Sequence, residues 1–261
     1  MSRSDNFYEL PENLPVPVDD GACDHLPGMQ LPAISLMSTS GTTVDLSQLP
    51  GRTVLYCYPR TGRPGEASPD GWDLIPGARG CTPQSCAFRD HHAELQQLHA
   101  RVFGLSAQDT AYQQEAVQRL HLPFELLSDA ELTFTQALRL PTFVVASMTL
   151  IKRVTLLIEN GQIIKVFYPV FPPDQNAAQV IRWLIALSSA LDQAIQKLSA
   201  GLETAQDRAV AREAVQLLRT RGVDGIILGC TEIPLLLQEE ADDLINPLQL
   251  LAEAAVRHAL R

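Results

Sequence analysis

Apolar and polar residues follow one another along this chain in a pattern that predicts an α/β fold. Two apolar runs, PAISLMS at 32–38 and TVLYCYP at 53–59, predict short strands, of which the second is buried. Further along, helical and strand-like periodicities alternate. They predict, in order, a helix from 83 to about 99, a strand at 101–107, a helix at 111–120, a strand at 124–129 and a helix at 131–138.

The segment KRVTLLIENGQIIKVFYPV at 152–170 predicts a β-hairpin. Two β-rich runs flank Glu159, Asn160 and Gly161, and Asn-Gly is the preferred two-residue hairpin turn. A helical pattern from about 175 to 198 follows. Alternating strands and helices that end in a hairpin and a helix are typical of an α/β sandwich of the thioredoxin type.

Changes in composition set the predicted domain bounds. Residues 1–30 are rich in Pro, Gly and acidic groups and predict an N-terminal arm, and residues 31–195 predict the thioredoxin-like domain. The polar stretch at 196–208 predicts a boundary. Residues 205–261 then predict a small α–β–α segment with one parallel strand, DGIILGC, and a closing helix at 248–261.

A long loop interrupts the first domain at residues 60–80. It is crowded with Gly and Pro and has no hydrophobic periodicity. Loops of this length inside a compact domain are usually functional or mobile, so the loop marks a candidate site.

Charge and composition narrow the class of protein. Lys and Arg total 20 and Asp and Glu total 30, which gives a formal net charge of −10. This balance argues against nucleic acid or an anionic membrane as a partner. The N-terminal residues lack the apolar run of a secretory signal, so we expect a cytoplasmic protein, in which five cysteines are not a disulfide framework.

The segment ARGCTPQSCAFRD carries the candidate chemistry. Cys81 directly precedes the predicted helix, in whose first turn Pro83 is favoured. Unpaired N–H groups and the helix dipole stabilise a thiolate there, and the thiolate is the nucleophile. A guanidinium would add to this effect, and the candidates are Arg79, Arg89 and Arg153.

Cys86 is five residues further along the same helix. In an intact helix the two Cα atoms lie roughly 8.6 Å apart, beyond the limit of about 7 Å for a disulfide. A bond between them would therefore require the first turns to unwind. Two buried thiols or a zinc site are alternatives, although no second close cysteine pair follows; Cys57 reads as a core residue and Cys23 as a spare thiol.

The motif GCTPQSCAFRD resembles the Q-type peroxiredoxins, also called bacterioferritin-comigratory proteins, over about residues 30–190. The resemblance implies a thiol peroxidase without a cofactor or metal, with Cys81 as the peroxidatic and Cys86 as the resolving cysteine. It implies that Arg153 polarises the peroxide and that thioredoxin or a similar dithiol is the reductant. A monomer or homodimer is expected.

Three features depart from that family's pattern. Ala78 stands where the family carries a Thr whose hydroxyl holds the peroxide, so Thr61 or Thr82 would have to contact the substrate instead. Gln84 stands where Glu is common. The loop between Pro59 and Cys81 is also much longer than usual. A redox sensor or interaction protein that has lost turnover is therefore an alternative reading.

A second motif, VDGIILGCTEIPLLL, resembles the C-terminal part of the cofactor-independent aspartate/glutamate racemases. The resemblance implies that Cys230 is an acid/base group, that Thr231 holds the substrate carboxylate and that Glu232 stands beside the cysteine. The matching half with the opposing cysteine is absent from this sequence. We therefore expect a non-catalytic remnant, the alternative being a racemase completed by another chain.

Overall fold

In the computed structural model, which describes residue 8 and residues 10–220, 226–228, 232–238, 241–246 and 249, the chain divides into two units. The first is Met1–Arg182 and the second is Trp183–Arg261. Residues 183–195, which the sequence analysis assigned to the first domain, are grouped with the second unit.

The first unit is built on a mixed α/β arrangement. Its strands are β1 Ser35–Ser38, β2 Thr43–Asp45, β3 Arg52–Cys57, β4 Ala100–Ser106, β5 Glu125–Ser128, β6 Thr142–Val145, β7 Met148–Ile151, β8 Val154–Glu159 and β9 Gln162–Phe167. Its helices are α1 Cys81–Asp90, α2 His92–Gln97, α3 Thr110–Leu120 and α4 Thr133–Ala137, and α5 Asn176–Ser199 begins in it.

β3 lies near the centre of a seven-stranded sheet of order β2-β1-β5-β4-β3-β8-β9. It pairs with β4 in parallel and with β8 in antiparallel register. Its last five residues are buried, as expected for a strand covered on both faces, which is why its sequence is apolar without alternation. The strand predicted at 53–59 is confirmed.

The hairpin predicted at 152–170 is also confirmed, as β8 and β9. Asn160 and Gly161 both adopt positive φ, 47° and 78°, which is the backbone of a type I′ turn. The Asn160 side chain accepts a hydrogen bond of 2.7 Å from the Gly51 amide. This contact ties the turn to the start of β3.

Two local features differ from the sequence analysis. The helix predicted from 83 to about 99 is wrong as one element, because the chain breaks at His91 between α1 and α2. The pattern hides the break, since Phe88 and Leu95 on either side are both buried. The β6–β7 hairpin was not predicted, because its turn residues with positive φ are Ala146 and Ser147 rather than Asn and Gly.

The second unit contains α6 Ala205–Thr220, β10 Ile226–Ile227, α7 Ile233–Leu237 and β11 Leu244–Ile245. The prediction of one unpaired strand is wrong, because β10 pairs in parallel with β11. A small apolar core includes Ala211, Val215, Leu236 and Leu237. The predicted closing helix at 248–261 lies almost entirely outside the described residues.

No helix in the described part of the chain is long and apolar enough to cross a membrane.

The turn at Gly161 generates a stability prediction. A Cβ atom there would lie 2.5 Å from the Ser47 carbonyl oxygen, whereas a Cβ at Gly41, which has a similar φ of 87°, would meet nothing within 4 Å. We expect Gly161→Ala to lower the free energy of unfolding by about 1–3 kcal/mol more than Gly41→Ala, because only the former adds a backbone clash to the φ strain. Urea denaturation of both variants measures the difference, and equal losses would contradict it.

Candidate active site

Cys81 is the first residue of α1 and not the residue before it, a correction to the sequence analysis. The helix is preceded by Gly80 in the left-handed region, with φ 102°, and this N-cap residue supplies no side-chain cap to the amide groups of the first turn. A Cβ at Gly80 would lie 2.3 Å from Pro173, so glycine is required there. The uncapped N-terminus favours negative charge on a side chain in the first turn.

Arg153 brings a guanidinium to the sulfur of Cys81. Its Nη2 donates to Cys81 Sγ at 3.2 Å and also to the carbonyl oxygens of Ala78 and Arg79, at 3.2 and 3.1 Å. Both Cys81 and Arg153 are buried, with 4% and 3% of their surface exposed. At this depth water screens the interaction little, so the cation stabilises a thiolate more than it would at the surface.

The sheet register explains why these two residues meet. Val154, the first residue of β8, pairs with Cys57, the last residue of β3. Arg153 immediately precedes β8 and therefore lies at the carboxyl end of β3, the edge from which the chain leads to α1. Of the other two candidate cations, Arg79 pairs with Asp73 at 3.5 Å and Arg89 with Asp90 at 2.8 Å.

A buried polar network also binds the Arg153 guanidinium. Its Nη1 donates to Gln84 Oε1, and Gln84 Nε2 donates to Asn176 Oδ1 at 2.9 Å. Thr155 Oγ1 donates to the same Asn176 oxygen at 2.7 Å. These contacts connect α1, β8 and the start of α5. Because Gln84 is neutral, it holds the guanidinium without cancelling its charge, as a Glu would.

The sequence analysis gave no role to Gln84, Asn176 or Thr155. In sequence Gln84 stands out by its position three residues after Cys81, on the same helical face, and by standing where the resembled family commonly has Glu. Asn176 and Thr155 carry no local signal at all. Tertiary contact alone brings them together.

A cavity of about 30 Å³ opens beside Cys81. Most of its walls come from the loop at 60–80. The lining residues are Arg60, Gly62, Glu66, Ala67, Ser68, Pro69, Trp72, Ala78, Arg79, Gly80, Cys81 and Thr82. Of the two predicted substrate contacts, Thr82 lines the cavity, whereas Thr61 is absent from the lining and donates its hydroxyl to Gln108 Oε1 at 3.2 Å.

Cys86 is half-buried on the same helix as Cys81. Burial raises the pKa of the Cys86 thiol, and the nearby guanidinium of Arg89 opposes that rise. The two cysteines lie on one continuous helix, so at i and i+5 their Cα atoms are roughly 8.6 Å apart. This exceeds the reach of a disulfide, and α1 would have to unwind at its start for the sulfurs to bond.

Comparison with known proteins decides the family. The sequence matches the family described as Redoxin over residues 26–181, more than half of the chain. The chain belongs to the redoxin family. A peroxiredoxin Q, chloroplastic, from Oryza sativa subsp. japonica is 30% identical over 162 residues, which are 61% of this chain and 67% of the relative. The corresponding protein of Suaeda salsa is 27% identical over 161 residues, which are 61% of this chain and 68% of the relative.

Solved structures agree on the fold of this redoxin. The crystal structure of peroxidoxin BcpB from Mycobacterium tuberculosis matches 62% of this chain and 98% of its own, with 24% identity and a TM-score of 0.51. A structure of Xylella fastidiosa PrxQ covers 63% of this chain and 98% of its own, with 22% identity and the same score. The predicted thioredoxin-like α/β fold is confirmed. With peroxiredoxins as its relatives, the redoxin is a thiol-dependent peroxidase.

Residues 182–259 match a different family, described as Asp/Glu/Hydantoin racemase. The predicted racemase-like resemblance of the C-terminal segment is therefore confirmed. Of the residues singled out there, Cys230 and Thr231 lie outside the described residues. Glu232 is described and precedes α7.

The other described cysteines of the redoxin unit, Cys23 and Cys57, are buried free thiols in its main apolar core. Burial, the largest influence, raises the pKa of Cys23 to about 12, with further contributions from Asp20, Asp19 and Asp24. Burial also raises the pKa of Cys57, well above that of an ordinary thiol. Burial therefore disfavours, at both cysteines, the thiolate that nucleophilic attack requires. The interpretation of Cys57 as a core residue is confirmed.

The contact between Arg153 and Cys81 generates a prediction about rate. We expect Arg153→Ala to slow the reaction of Cys81 with peroxide by about 10²–10³-fold, because it removes a hydrogen-bond donor to the sulfur and a fixed positive charge. Arg153→Lys recovers only part of the rate, since Lys lacks the two-pronged donor geometry. Stopped-flow measurement of the oxidation rate checks this, with the exposed Arg101→Ala as control. An unchanged rate in Arg153→Ala would remove this residue from the site.

Proposed function

We propose that Cys81 is the peroxidatic cysteine and that Arg153 activates it. The observation that carries this proposal is the Cys81 sulfur at the start of α1, 3.2 Å from the buried Arg153 guanidinium and beside a cavity. The helix N-terminus and the cation both favour the thiolate. The thiolate attacks one peroxide oxygen, an S–O bond forms as the O–O bond breaks, and the leaving oxygen takes a proton to become water or an alcohol.

We further propose that Cys86 resolves the resulting sulfenic acid. The first turns of α1 unwind, the Cys86 sulfur attacks Cys81 Sγ, and a disulfide forms as the hydroxyl group leaves with a proton as water. A dithiol protein of the thioredoxin type then reduces the disulfide by exchange and is itself oxidised to a disulfide. Peroxiredoxin relatives imply this class of reductant. A monomeric or homodimeric state and a cytoplasmic location stay predictions.

Two cysteine variants test these assignments. We expect Cys81→Ser to abolish peroxide reduction, because the variant lacks the activated thiolate. We expect Cys86→Ser to react once and then stop at the sulfenic acid, which a dimedone-type reagent labels on Cys81. Peroxide consumption with a thioredoxin system and peptide mass mapping are the measurements, with Cys23→Ser as control. A disulfide from Cys81 to Cys23 or Cys57 in the wild type would contradict the resolving role of Cys86.

The same assay distinguishes a peroxidase from a redox sensor without turnover. Such a protein would be oxidised once by peroxide and would not consume it continuously in the presence of reductant.

Racemisation by the C-terminal segment is not part of this proposal. Inversion at an α-carbon needs an acid/base group on each face, and the sequence holds only one cysteine in a Gly-Cys-Thr-Glu setting, Cys230. We expect Cys230→Ser to leave peroxide reduction intact, and the wild type to exchange no α-deuterium into aspartate or glutamate in D₂O. Exchange that depends on Cys230 would show that the segment is catalytic.

A further inference from the structure

The long loop at 60–80, here called the capping loop, places an indole ring in the wall of the cavity beside Cys81. Trp72 lies in a short 3₁₀ turn of this loop and only 6% of its surface is exposed. It packs in an apolar cluster with Ala78 and Leu150, and its ring centroid lies 6.1 Å from that of Phe143. Trp72 also lines the cavity beside Cys81. A large side chain from the loop therefore forms one wall of that cavity.

The beginning of the capping loop is fastened to α3 by polar contacts. Arg60 donates to the Tyr112 hydroxyl at 3.0 Å, and that hydroxyl donates to Glu66 at 3.0 Å. The Arg63 guanidinium lies 3.8 Å from the centroid of the Tyr112 ring. Tyr112 thus contacts three loop residues at once. Arg60 and Glu66 also line the cavity, whereas Tyr112 does not, so Tyr112 holds part of the cavity wall in place without forming it.

The size of the cavity limits what can approach the sulfur. Its volume is about 30 Å³, and one water molecule requires about 10–15 Å³ measured in this way. Hydrogen peroxide, with two oxygen atoms, has room. A hydroperoxide with an aromatic or long alkyl group would have to place that group against Trp72 in the cavity wall, or outside the cavity. We propose that Trp72 is a specificity-determining residue that restricts the peroxidase to hydrogen peroxide and similarly small peroxides.

This proposal, which rests on Cys81 as the peroxidatic cysteine, also connects two departures from the family pattern. Ala78 stands where the resembled family carries a Thr, and it is fully buried in the cluster that contains Trp72. A Thr at position 78 would add two heavy atoms next to the indole. The small side chain of Ala78 thus leaves room for the indole of Trp72, which the long loop brings beside position 78.

Selectivity between two peroxides tests the proposal on the full-length chain. The rate constants for oxidation of Cys81 by hydrogen peroxide and by cumene hydroperoxide are measured by stopped flow. We expect Trp72→Ala to raise the ratio of the cumene hydroperoxide rate to the hydrogen peroxide rate by about tenfold or more, the scale on which one excess group is rejected by a close-fitting pocket. Leu74→Ala is the matched control, because Leu74 is in the same turn but 80% exposed. It should keep the wild-type ratio.

Two further variants keep the test decisive if Trp72→Ala does not fold. Trp72→Leu keeps an apolar side chain in the cluster and is judged by the same ratio. Tyr112→Phe removes the hydroxyl that binds Arg60 and Glu66, and by loosening these two lining residues it should raise the ratio while Trp72 is kept. Unchanged ratios in the folded Trp72 variants would overturn the proposal. Absence of Cys81 oxidation by either peroxide in the wild type would instead overturn the proposed function.

Discussion

The buried guanidinium of Arg153 holds together the residues around the Cys81 sulfur. Placing Arg153 at this depth is costly unless its charge and its donors are met. The carbonyl oxygens of Ala78 and Arg79, the amide of Gln84 and the Cys81 sulfur accept from Nη1 and Nη2, whereas Nε has no hydrogen-bond partner in the described part of the chain. The contacts with Ala78 and Arg79 fix the end of the capping loop, and that with Gln84 fixes the first turn of α1. The same charge that demands these partners stabilises a thiolate on Cys81, so packing and reactivity have one origin.

This arrangement also bears on how the site would change during turnover. Cys81, Gln84 and Cys86 all lie in α1, so unwinding its first turns for the disulfide would disturb the contacts of Arg153 as well. Trp72 and other residues of the capping loop line one cavity with Cys81 and Thr82, at the start of this helix. The proposed resolution by Cys86 would therefore require the helix start and the guanidinium contacts to rearrange together, next to the cavity that the loop lines. Tyr112 of α3 holds the beginning of the capping loop. That part of the loop can therefore stay in place while the first turn of α1 opens.

Sequence patterns predicted the frame of this redoxin well. β3, the Asn160-Gly161 hairpin and the position of Cys81 at a helix start all carry local signals, because buried strands, type I′ turns and helix starts each demand particular residues. The break at His91 and the β6–β7 turn carry none. The network of Gln84, Asn176 and Thr155 is assembled from three distant elements, and no spacing rule predicts it. The burial of Trp72 was likewise not predicted, because a loop without periodicity gives no indication of which side chain it buries.

The most direct test of the central claim is the mass of the intact wild-type protein before and after one equivalent of hydrogen peroxide, followed by peptide mapping. The account predicts a loss of two hydrogen atoms and a single new cross-link between Cys81 and Cys86. Oxidation confined to any other cysteine, with Cys81 recovered as a free thiol, would contradict it.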